Sequence, residues 1–311
     1  MRTIVAFSLA VILAGCSSSS PSPSPTPTSD GGGSTGWRAI VGEGGTFVHT
    51  FDEKEWTVRA LGNVDLYGVS CIGNDVGWAV GAHGVIAHTE DGGRTWSWQS
   101  SGTTTTLRSV AFGDLQHGIA VGDDGFVRST IDGGRTWTAP PAGGEALPLH
   151  AAFANGATFY AVGASGLLRR GALGALAPQT IAGAGDLTAV AARGTHVAVA
   201  DESGAVFESF DGGSRFEKTD VAPHAIRALA ITETGMVVAA GDAGTIRTST
   251  TKGVWSTAST TVTANLHAAV PTSTGIFFAG DQGTLLVLGG GAVRAIPVAT
   301  TADLWAVESF E

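Results

Sequence analysis

The chain has 311 residues, 43% of them hydrophobic and 14% charged, with 46 glycines and a formal net charge of −10. Such a length allows one large domain or two small ones. The acidic surplus argues against DNA, RNA or an anionic lipid surface as partner, because each of these calls for a basic face.

Residues 1–15, MRTIVAFSLAVILAG, carry one charge, Arg2, ahead of an apolar run that is too short to span a bilayer comfortably. The run reads as a secretory leader. It ends in Leu13-Ala14-Gly15-Cys16, which resembles the lipobox of bacterial lipoproteins. That resemblance implies cleavage before Cys16, acylation of its thiol, and a place in the bacterial cell envelope. Ser17 follows where an inner-membrane retention signal often has Asp, so the outer membrane is the expected site. Residues 16–36 continue as a Ser/Pro/Gly-rich tether that cannot bury a core and favours extended, solvated backbone. Cys71 is the only other cysteine, so no disulfide framework is available. In LYGVSCI it reads as a small buried hydrophobe.

From residue 37 onward the chain repeats itself. The second glycine of a V-G-x-x-G phrase, or its equivalent, falls at Gly45, Gly84, Gly125, Gly166, Gly204, Gly244 and Gly283. The first aliphatic of an L-x-x-V phrase falls at Leu66, Leu107, Leu149, Leu187, Ile226, Leu266 and Leu304. Both markers count seven units of about 40 residues, each with runs of β-prone residues separated by Gly, Asp and Thr. In one unit the four strands are expected at LRSVAF, HGIAVG, FVRST and WTAP. A four-stranded antiparallel repeat of this length is the mark of a β-propeller blade. Residues 37–311 are therefore predicted to form an all-β, seven-bladed propeller, expected to be monomeric. The chain enters the repeat at its second strand, WRAIVG, and finishes on a first strand, LWAVESF. Pairing those two would close the ring and leave no sheet edge open.

The hexamer DGGRTW occurs at 91–96 and again at 132–137. The wider phrases resemble the Asp-box of bacterial neuraminidase repeats: Asp91, Gly93, Thr95 and Trp96; Asp132, Gly134, Thr136 and Trp137; and, more loosely, Asp211, Gly213 and Phe216. Decayed forms stand at Thr50-Phe51-Asp52…Trp56 and Thr250…Trp255, and the units near 171 and 289 have lost the box. The Asp can accept N–H groups from the following turn, Gly takes the positive φ, and the indole is expected to cover the hairpin near the blade's outer edge. A feature copied around a ring cannot converge on one substrate, so the box reads as scaffold.

The fuller phrases, GWAVGAHGVIAHTEDGGRTW and GIAVGDDGFVRSTIDGGRTW, are similar to the photosystem II assembly and stability factor family of propellers. That resemblance implies a seven-bladed, often lipid-anchored protein that binds assembly intermediates through a positively charged face. This acidic chain, with scattered arginines, departs from that last feature.

One position varies amid fixed ones, the residue after the first aliphatic of each inner strand. Around the ring it reads Tyr67, Arg108, His150, Thr188, Arg227, His267 and Trp305. These seven are expected to ring the channel mouth and to bind an anionic or aromatic group, or else to pack between blades and pair with carboxylates. The neighbouring turns add Glu43, Asp123, Asp124, Asp201, Glu202, Asp242 and Asp281, an acidic collar suited to a basic partner segment. A sialidase-like glycosidase is the enzymatic alternative, but the ring set offers neither a third arginine nor a carboxylate. No H-x-H or C-x-x-C spacing suggests a metal and no phosphate-cradling loop suggests a cofactor. The expectation is a binding module with an unknown protein or glycan partner, touching the membrane only through its lipid anchor.

Overall fold

The structure, a computed structural model, describes residues 37–139 and 146–310. The leader, Cys16 and the tether lie outside the described residues. Seven antiparallel sheets follow one another in chain order, and each inner strand packs beside the next. The inner strands are Leu304–Phe310, Leu66–Ile72, Leu107–Phe112, Leu149–Asn155, Leu187–Arg193, Ile226–Ile231 and Leu266–Thr272, named blades 1 to 7 in that order. Six sheets have four strands. In blade 3 the described part of the strand expected at WTAP makes one bridge, Ser129 to Thr138. The next residues, 140–145, lie outside the described ones.

Blade 1 is built from both ends of the repeat region. Strand Leu304–Phe310 pairs antiparallel with Trp37–Gly42, which continues into Thr46–Thr50 and Thr57–Ala60. The inner strand of blade 1 packs against those of blades 2 and 7, so the ring closes.

The V-G-x-x-G phrase is a tight turn between the second and third strands of a blade. In six blades its fourth residue adopts a left-handed conformation, at Gly44, His83, Asp124, Ser165, Ala243 and Gln282. The first glycine answers a different demand. A Cβ on Gly81 would run into the carbonyl oxygen of Asp65, just ahead of the blade's own inner strand. That carbonyl accepts the N–H of Ala82 at 2.9 Å, so the turn is tied to the start of the inner strand. The turns and strand starts therefore share one face, and the Asp-boxes lie on the other.

Each pair of adjacent blades encloses its own hydrophobic core, and seven such clusters account for the interior. The residue at the box's aromatic position closes each seam. Trp96 covers its own hairpin, as the sequence suggested, donating to the Gly93 carbonyl at 3.2 Å, and it also reaches across to the preceding blade. Trp96 meets Phe47 of blade 1 edge-on at 5.4 Å, and Trp56 meets Phe277 of blade 7 at 6.0 Å. The cross-strand register identifies the same position in every blade: Trp56, Trp96, Trp137, Leu176, Phe216, Trp255 and Val293. All seven contact a seam cluster. In blade 6 the register shifts between Thr248 and Thr251, leaving Ser249 and Thr250 both opposite Trp255.

The boxes bond locally. Asp91 accepts the Thr95 N–H at 2.8 Å and the Thr95 hydroxyl at 2.6 Å, and Thr89 Oγ1 accepts the Gly93 N–H at 2.8 Å. Asp132 repeats the pattern, and the hydroxyl and N–H of Thr136 hold its carboxyl below the usual carboxylate range. Asp211 takes the N–H groups of Ser214 and Arg215. The decayed box at Asp52 still accepts from Lys54 and Glu55. Gly93 is required twice over: its φ is +73°, and a Cβ there would strike Trp37 and Phe47.

Candidate functional site

The mouth is built by seven equivalent β-bulges. In every blade the ladder between the inner and second strands skips one residue, and the skipped residues are Tyr67, Arg108, His150, Thr188, Arg227, His267 and Trp305. A bulged residue has no ladder partner, and its side chain is re-aimed. All seven line a single depression of about 650 Å³ at the mouth, and a channel cavity of about 270 Å³ also lined by them. The variable position in the sequence is thus the one that the fold turns toward the axis.

The bonds these residues make decide what the mouth can hold. Arg108 donates from Nε and Nη2 to the two carboxylate oxygens of Asp123, at 2.9 and 3.1 Å. Arg227 grips Asp242 in the same two-pronged way, through Nε and, at 3.0 Å, Nη2. Both guanidinium pKa values are pushed up, first by these hydrogen bonds. His267 meets Asp281 through Nε2, and Asn265 donates to the other oxygen of Asp281 at 2.8 Å. His150 Nδ1 bonds the carbonyl of Leu187 at 2.9 Å, and the Thr188 hydroxyl bonds the carbonyl of Ile226. Tyr67 donates to Asp65 at 3.2 Å, and burial, followed by the charge of Asp65, raises its phenol pKa. Its ring lies 4.8 Å from that of Trp305, with the Arg108 guanidinium 4.9 Å from its centroid.

Of the two alternatives the sequence left open for the arginines, the structure shows the pairing with carboxylates: one from the same blade occupies the Nε–Nη2 edge of each. The collar is not a separate feature, because Asp123, Asp242 and Asp281 are the partners of the ring residues. Asp201 leaves the collar altogether. It is buried at 1% exposure, and its carboxylate accepts from Ser203, Ala205 and Gly185. Glu43, Asp124 and Glu202 remain exposed. The acidic surplus of the whole chain persists at the mouth. Asp123, Asp186, Glu202, Asp242 and Asp281 face or brace it, against the two guanidiniums of Arg108 and Arg227.

The sequence reading missed a set of inter-blade ties. Asp65, Asp186, Asn265 and Asp303 each precede an inner strand. Their side-chain oxygens accept the N–H of the left-handed turn residue in the preceding blade: Gly44 at 2.9 Å, Ser165 at 2.8 Å, Ala243 at 3.1 Å and Gln282 at 2.9 Å. The signal was present as D-L or N-L at the head of four L-x-x-V phrases. Glu308 was also missed. It borders the channel cavity, part-buried among the inner strands, and desolvation there pushes its carboxyl pKa up to about 8. Cys71 is buried, as its apolar surroundings imply, and burial raises its thiol pKa well above the ordinary value. Among the described residues no group of three or more His, Cys, Asp or Glu side chains is placed to hold a metal ion.

No protein-family model matches the chain, and no curated protein sequence matches it. Solved structures do. A structure described as YCF48 bound to D1 peptide superposes with a TM-score of 0.65 at 19% identity, covering 86% of this chain and 93% of that one. The WD40 propeller domain of Doa1 gives 0.65 at 13% identity, covering 84% and 89%. YCF48 from Cyanidioschyzon merolae gives 0.62 at 15%, covering 86% and 90%. The chain is a β-propeller resembling the photosystem II assembly factor YCF48 in fold.

Proposed function

We propose that this chain is a non-catalytic binding propeller of the bacterial cell envelope, tethered by an acylated Cys16, that grips a basic segment of a partner protein at its mouth. The observation that carries this reading is the convergence of seven bulged side chains on one depression where carboxylates outnumber guanidiniums. Lysine or arginine side chains would find the counter-charges there, and the Tyr67 and Trp305 rings offer faces to cations. YCF48 is described with a bound D1 peptide, which supports a peptide as the class of occupant. The acidity of this mouth favours a basic partner over one needing a positively charged face, and equally over a glycosidase needing free arginines.

The arginine pairs give a discriminating test. Replacing both Arg108 and Arg227 with Ala releases Asp123 and Asp242 into the mouth. A lysine-rich peptide is then expected to bind the double variant at least as tightly as the parent, measured by fluorescence anisotropy. An acidic peptide that binds the parent and loses the double variant would overturn the reading. The anchor has its own test: Cys16→Ser is expected to move the protein from the membrane to the soluble fraction, and retention on membranes would contradict it.

A further inference from the structure

The seam between blades 6 and 7 differs from its six sisters. Four seams are closed by an indole, one by Phe216 and one by Leu176, which packs there beside Leu173. Between blades 6 and 7 the closing residue is Val293, across from Leu288 where boxed blades carry Ser or Thr. The hairpin itself is Gly289-Gly290-Gly291 in place of a box. Valine is too small to fill the indole's seat. Two openings flank it: about 530 Å³ against Leu288 and about 220 Å³ against Val293.

The larger opening lies on the box face, opposite the mouth. Met236, Ile276 and Leu288 supply its apolar surface, and Thr232, Thr248 and Thr257 are among the hydroxyls around it. No charged side chain lines it. Apolar side chains beside hydroxyl oxygens, with glycines leaving room between them, suit a ring carrying one N–H donor.

We propose that this cleft is a receptor for an aromatic side chain of a partner protein, an indole foremost, which completes the seam as the box tryptophans complete the others. The chain's own tether does not supply it, since residues 16–36 contain no aromatic residue. The site is independent of the mouth and needs no basic partner.

Free indole is the probe, and the ε-methyl of Met236 is the reporter, as the only methionine besides Met1. In full-length protein, indole is expected to shift that methyl resonance saturably. Thr257→Trp places a large ring in the cleft from an exposed position and is expected to weaken indole binding at least about tenfold. Val293→Trp is expected to fill the seam, with the same loss and a raised Tm. The proposal is overturned if indole leaves Met236 unmoved, or if Thr257→Trp folds and binds indole as the parent does. A neutral hexose that shifts Met236 where indole does not would overturn it too. So would a Met236 shift that tracks protein concentration alone, which would assign the cleft to a second copy through its exposed Trp98.

Discussion

Single residues in this ring reveal how much the fold tolerates at its axis. Glu308 holds a carboxyl where six other inner strands place Ser70, Ala111, Phe153, Ala191, Ala230 or Val270. Burial raises its pKa from 4.5 to about 8, so the folded chain keeps a proton there that the unfolded chain releases. Stability therefore falls as the pH rises from about 4.5 to about 8, and this group adds no further slope above that. The charged group would otherwise be stranded against inner strands and near Cys71, whose thiol its charge also pushes up. Glu308→Gln keeps the shape and removes the charge. Urea unfolding is expected to find the variant more stable than the parent by on the order of a few kcal/mol at pH 9. At pH 4.5 the two are expected to be nearly equal, and parallel pH profiles would refute the assignment. His49 has the opposite sign. Burial, then Arg59 and Arg94, lowers its pKa to about 4, so it adds stability above its unfolded range that is lost as pH falls toward 4.

At the scale of the hairpin, the box is a joint between blades. Its Asp and Thr fix the turn, its Gly lets the turn lie on the previous blade's aromatic, and its indole seals the seam. Trp78 shows how closely two blades interlock: fully buried, it stacks on Phe112 at 3.4 Å and donates from Nε1 to the Gly133 carbonyl of the next box. Truncating such an indole to Ala typically costs about 3–5 kcal/mol. The turn chemistry was legible in DGGRTW, because each bond lies within a few residues. The destination of the indole was not, because local sequence says nothing of which neighbour a hairpin leans on. The same limit applied to Arg108 and Arg227. Their positions followed from the repeat, but their carboxylate partners sit 15 residues along, on the turn beside the same inner strand, and only the bulge brings the two together.

For the molecule as a whole, periodicity carried most of the information. Two markers gave seven blades, and the split first unit gave the closure seen in the pairing of Trp37–Gly42 with Leu304–Phe310. The mouth residues were legible as the variable place within a fixed phrase. Its acidic sign was legible in the collar, but not which carboxylates brace the ring residues and which, like Asp201, turn away from it. That sign is the central claim, and it is tested most directly by titrating the 15N-labelled protein with matched lysine-rich and glutamate-rich peptides at low and high salt. The lysine-rich peptide is expected to shift the Trp305 indole N–H and the Arg108 Nε–H, with affinity that weakens as salt rises. Shifts at those two groups from the glutamate-rich peptide instead, or none from either, would contradict the account.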